Sequence, residues 1–108
     1  MFDINGERWE ILLVSPAHPR LIRSDGSITV GTCDDIDKTI YIDFTLDETM
    51  LKRVLCHELT HAAMFSYNID LDLMQEELLA DLIATYGQEI IHMTNLLFKR
   101  IKENRGTH

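Results

Sequence analysis

The feature that most restricts this chain is how little separates its two long helical patterns. From about Asp47 to Tyr67, apolar residues recur at helical spacing, with Leu51, Leu55, Leu59 and Ala62 on one stripe. A second pattern starts near Leu71 and runs to about Glu103, with a bend expected at Gly87. The few residues between them suit helix ends. Asn68 can cap the first helix in a left-handed conformation, and Asp70 or Asp72 can cap the start of the second. A break this short turns the chain straight back, so the two helices become antiparallel neighbours. Upstream, Thr45 and Glu48 offer a capping box for the first helix.

Roughly opposite the apolar stripe lie His57 and His61, the two ends of His57-Glu58-Leu59-Thr60-His61. Residues four apart share a helix face, so both imidazoles can aim at one point, while Glu58 sits about 100° around the axis from His57. Two histidines at this spacing, with an acid directly after the first, form the arrangement of two zinc ligands and a general base. The plainer alternative is a solvated helix face. The metal reading requires the pentad to be helical and a third ligand to arrive at the same height.

Helical geometry tests the second condition. His61 lies about seven residues before the turn and Glu77 about seven after it, roughly 10 Å along each helix, so the two face each other in an antiparallel pair. Asp81, one turn further on, comes level with His57. Zinc would then take His57, His61 and Glu77 and leave a fourth position for water, and Asp81 would accept a hydrogen bond from the other nitrogen of His57. Ala80 and Ala84 keep this face low enough for close approach. Other donors fit less well. Glu76 is about 100° off the face, His92 reaches the site only if the chain folds back at Gly87, and His108 could fold back from the polar tail Asn104–His108. A zinc pattern that needs a glycine three residues and a third histidine six residues after the second is absent, because Met64 and Tyr67 stand there. Glu76, Glu77 and Asp81 could also be a charged first turn that favours the helix dipole.

The N-terminal third reads as strand. Residues 8–14 form a first strand, stopped by Ser15-Pro16-Ala17-His18-Pro19. Asp25-Gly26 signals a turn before a second strand at residues 27–32, and residues 39–44 form a third. In the third, Ile40, Ile42 and Phe44 alternate with Thr39, Tyr41 and Asp43, the pattern of a strand with one buried face. Residues 27–44 thus read as a hairpin, and the fold expected is α+β, with a three-stranded, mostly antiparallel sheet packed on the two helices.

At 108 residues the chain supports a single domain, 1–108. A net charge of −8, with no basic patch beyond Lys99, Arg100, Lys102 and Arg105, argues against binding nucleic-acid backbone. Those four cations read as the solvated last turns of a helix. There is no membrane-spanning run and no signal pattern. Cys33 and Cys56 make no disulfide framework, with Cys56 read as a packed thiol, so a cytoplasmic location is expected.

The chain resembles the gluzincin branch of zinc metallopeptidases, in which His-Glu-x-x-His is followed by Glu-x-x-x-Asp on a later helix. The likeness is greater to the ImmA/IrrE-type peptidases of phages and mobile elements and to the minigluzincins. Their second motif is similar to Glu77-Leu78-Leu79-Ala80-Asp81-Leu82-Ile83-Ala84, and the resemblance covers about residues 39–85. Thr60 stands where the family usually has glycine. The resemblance implies a minimal zincin domain that hydrolyses peptide bonds with Glu58 as base. It also implies that Thr39, Ile40, Tyr41, Ile42 and Asp43 form an edge strand that pairs with extended substrate. For the residue that stabilises the oxyanion, Tyr41, Tyr67, Tyr86 and His18 are unranked candidates. The resemblance further suggests a regulatory protease acting on one helix-turn-helix repressor of a mobile element. A zinc-stabilised binding module without turnover is the third reading.

Overall fold

A computed structural model describes residues 1–106, so the His108 fold-back lies outside the described residues. Four strands form one mixed sheet: β1 (Phe2–Ile4), β2 (Glu7–Val14), β3 (Gly31–Asp34) and β4 (Thr39–Asp43), in the order β1-β2-β4-β3. Three helices follow: α1 (Glu48–Ser66), α2 (Leu73–Leu82) and α3 (Gln88–Gly106), with a π-helical turn at Ile83–Gly87 between the last two. The fold is α+β.

The sheet departs from the expected one in three ways. A first hairpin joins β1 to β2 through Asn5-Gly6, both at positive φ, the conformation a tight hairpin turn requires. The predicted strand at 27–32 begins only at Gly31, because residues 22–28 close a small loop of their own through an Ile22–Ile28 bridge. The largest difference concerns residues 39–43. β4 is no edge strand: it pairs in parallel with β2 and antiparallel with β3, and all five of its residues are buried. Ile40 and Ile42 pack beneath α1 with Trp9, Val54 and Ala62. Tyr41 points to the other face, where His18 stacks on its ring and Arg20 lies over it. A strand covered on both faces belongs inside a sheet, and its backbone groups are already committed to two neighbours. Phe44, read as part of the buried face, is instead 61% exposed beyond the strand end.

The helix ends follow their local chemistry. Asp47, rather than Thr45, caps α1, its carboxylate accepting from the Met50 N–H, while the Thr45 hydroxyl donates to Asp43. At the other end Asn68 takes φ +54°, with Asn68 N–H to Phe65 C=O and Ile69 N–H to Met64 C=O, a Schellman closure. Asp72 and Gln75 then form the capping box of α2. Trp9, fully buried, donates its indole N–H to the Ser66 hydroxyl at 2.7 Å and ties β2 to the end of α1.

The helices run antiparallel, as the cross-pairs show: His61 meets Glu76 and Glu77, His57 meets Asp81, and Arg53 donates to Thr85. Beyond the π-helical turn the chain departs from the body. α3 buries no residue and remains helical through Gly106, so the polar end expected to be loose is regular to that point. The molecule measures 62 × 31 × 28 Å, the long axis reflecting this protruding helix.

Candidate metal centre

α1 presents His57 and His61 toward α2 and Glu58 toward β3. The two Nε2 atoms face each other at 3.2 Å. Glu77 closes the triangle, with Oε2 3.3 Å from His57 Nε2 and Oε1 3.0 Å from His61 Nε2. These three side chains form a group able to hold a metal ion. Tetrahedral ligands at about 2.0–2.1 Å from zinc stand about 3.3 Å apart, close to these separations.

The outer nitrogens are held too. His57 Nδ1 lies 3.0 Å from Asp81, and His61 Nδ1 lies 2.6 Å from Glu76 Oε1. With each Nδ1–H donating to a carboxylate, both Nε2 lone pairs and the Glu77 carboxylate converge on one point. Three acceptors so arranged repel one another unless a cation lies between them, and the donor set fits a divalent ion of zinc's preferences. Glu76 is the partner the sequence reading missed. It is set aside there as a rival ligand for being off the Glu77 face, yet that offset carries it past the ion to the far side of His61.

Glu58 is almost wholly buried. Burial pushes its carboxyl above the usual range and Glu77 adds to this, against the opposing influence of His57, His61 and Arg23. A carboxylate that holds a proton more readily than usual, beside a metal position, suits a base that takes a proton and gives it up again. The close approach of β3 makes this burial possible. A Cβ on Gly31 would lie 2.6 Å from Val54 Cγ1 and 3.3 Å from Glu58 Cγ. Cys33, also on β3, lines the same cleft, and burial together with the Glu58 charge raises its thiol pKa far above normal.

Two adjoining hollows meet at this centre and share Arg23, Thr29, Gly31, His57, Glu58 and Glu77. Their outer wall is the loop after β2 together with β3, whose far side pairs with no strand among the described residues. Asp43 N–H donates to Val30 C=O, so antiparallel alternation turns the N–H and C=O of Gly31 and Cys33 to that free side, where Thr29 Oγ1 already bonds Gly31 C=O at 3.2 Å. The edge beside the site is therefore β3, not residues 39–43.

None of the four oxyanion candidates lines these hollows. His18 and Tyr41 stack on the opposite sheet face, with the Tyr41 hydroxyl bonded to Asp37, and Tyr67 and Tyr86 are exposed at helix ends. Arg23 lines both hollows and has no ion pair within bonding distance among the described residues. Its position in the small loop closed by the Ile22–Ile28 bridge gives no signal in the sequence. His92 lies on α3 in a separate groove with Cys56 and Ile83. Among the described residues, no helix is long and apolar enough to cross a membrane. Comparison with protein-family models, curated proteins and solved structures yields no match to this chain.

Proposed function

We propose that this chain is a zinc-dependent metallopeptidase of gluzincin type, built on a minimal zincin-like domain. The observation that carries the reading is the convergence of His57 Nε2, His61 Nε2 and the Glu77 carboxylate, each imidazole steadied from behind by a carboxylate. His57, His61 and Glu77 would hold the ion, which when bound acts as a Lewis acid toward water and a carbonyl. Glu58 takes a proton from the attacking water and delivers it to the leaving amine. An extended peptide adds to the free side of β3, pairing with the backbone of Gly31 and Cys33. Arg23, on the facing wall, balances the charge that develops on the carbonyl oxygen, a contribution whose removal typically costs about 10²–10³ in kcat.

The test is Glu58→Gln in the full chain, with metal content and peptide cleavage measured together. The expected variant binds one zinc per chain and cleaves nothing. Loss of zinc in this variant, or cleavage at the unchanged rate, overturns the assignment. The repressor-specific protease reading concerns the substrate of the same chemistry, and mixing the chain with a co-encoded repressor or with casein separates the two.

A further inference from the structure

The two hollows that meet at the metal centre differ in lining. The first extends toward the end of α1, where Ile22, Phe65 and Leu73 make it apolar. Arg20 lines it too, but is already paired with Asp34 and Asp37. The second extends toward the start of α1. It has about 300 Å³ of space, room for one side chain of moderate size, between Met50, Val54 and Ala84, and Arg53 lines it as well.

Arg53 stands one helical turn before His57, on the face turned to α2. Its Nη2 donates to the Thr85 hydroxyl at 3.0 Å, which anchors one corner of the guanidinium. A guanidinium has five N–H donors in a planar fork that matches a carboxylate. Yet Arg53 pairs with no carboxylate among the described residues, in a chain with 18 acids against 10 bases. The three carboxylates of this hollow are committed elsewhere. Glu77 faces both imidazoles, Asp81 accepts from His57 Nδ1, and Glu58 lies against Gly31 of β3. The depression on the other side of Arg53 adds Lys52 and, among the described residues, no acid.

β3 sets which side of a cut bond enters this hollow. Val30 lines only the second hollow, whereas Thr32 and Cys33 line only the first. An added peptide pairs more stably antiparallel than parallel, so it runs from Cys33 toward Val30. Residues before the scissile bond then lie along the first hollow, and the side chain directly after it enters the second. Arg23 lines both hollows and stays beside the carbonyl at their junction, while Arg53 lines only the second and meets that side chain. We propose that the chain cleaves peptides on the amino side of aspartate or glutamate, with Arg53 as the residue that selects them, a specificity that rests on the peptidase reading above.

The test digests a library of C-terminally amidated peptides with the zinc-loaded full chain and sequences the new amino termini. Aspartate and glutamate should be enriched there about tenfold over asparagine and glutamine, the size of a charge-assisted contact. Arg53→Gln should remove the enrichment and Arg53→Glu should move it to lysine and arginine, with zinc and helical content unchanged. The discrimination should also appear without turnover. Zinc-loaded Glu58→Gln should bind a cleavable glutamate peptide about tenfold more tightly than its glutamine counterpart, and Arg53→Gln in that background should level the two. Cleavage without acidic preference, or a preference that survives Arg53→Gln, overturns the proposal and leaves the peptidase reading standing. No cleavage by a chain that holds zinc overturns both. Release of single residues only from unamidated peptides would seat a chain terminus at Arg53 and overturns the side-chain assignment.

Discussion

α1 and α3 are both 19 residues long, and they differ in nearly everything that a helix can do with its surface. α1 buries Val54, Glu58, His61, Ala62, Met64 and Ser66, so the sheet and α2 together cover much of its surface. α3 has fewer apolar residues over the same length and buries none of them. Periodicity thus establishes that a helix has a face. What covers the face depends on neighbours, and these are set by the lengths of the connections. The tight Tyr67–Asp72 turn delivers a partner to α1, whereas α1 begins at Glu48, level with the start of α3, and leaves the rest of α3 without a neighbour.

Substitutions of increasing subtlety probe this contrast. The largest effect is expected beneath α1, where Ile42→Ala removes buried methylene groups and should cost about 2–5 kcal/mol in urea unfolding. Next come the carboxylates behind the imidazoles. Glu76→Gln and Asp81→Asn should each lower zinc affinity about 10–100-fold in a chelator competition. The Glu76 change should be the larger of the two, because His61 is the more buried ring. If Glu76→Gln has no effect, its 2.6 Å contact does not steady the site. Gly31→Ala should then cost about 1–3 kcal/mol, since Val54 must shift to admit the new carbon. A neutral result would mean that β3 and α1 are less tightly apposed than described. The smallest effect is expected on α3. Leu97→Ala should change unfolding by less than about 0.5 kcal/mol. A cost matching that of Ile42→Ala would erase the distinction between the two helices.

Much of this architecture is legible before any coordinates. The helical hairpin follows from the short break, and the heights of Glu77 and Asp81 follow from counting residues on either side of it. What escapes the sequence is informative. The β1–β2 hairpin is signalled by Asn5-Gly6, a strong turn pair, but the strands it joins include one of only three residues with little periodicity to read. The central position of β4 escapes for another reason. Alternation along residues 39–44 suggests one buried face, while the second is covered by His18, Arg20 and the 3₁₀ turn Pro19–Leu21, and nothing local predicts where that excursion settles. Glu76 is misjudged because ranking it by angle to the Glu77 face considers only contact with the metal. A residue one step around the helix can reach the far nitrogen of the same imidazole.

The π-helical turn at Ile83–Gly87 fits one residue more into its span than a regular turn would. Each residue of a regular helix advances the azimuth by about 100°. Deleting one residue from this widened turn would leave a regular one that sweeps nearly the same arc. The stripe from Ile90 to Ile101 would keep its present orientation, and Glu77 and Asp81, upstream of it, would stay where they stand. The surplus residue therefore shapes the backbone path between α2 and α3 and does not set the direction in which α3 presents its side chains.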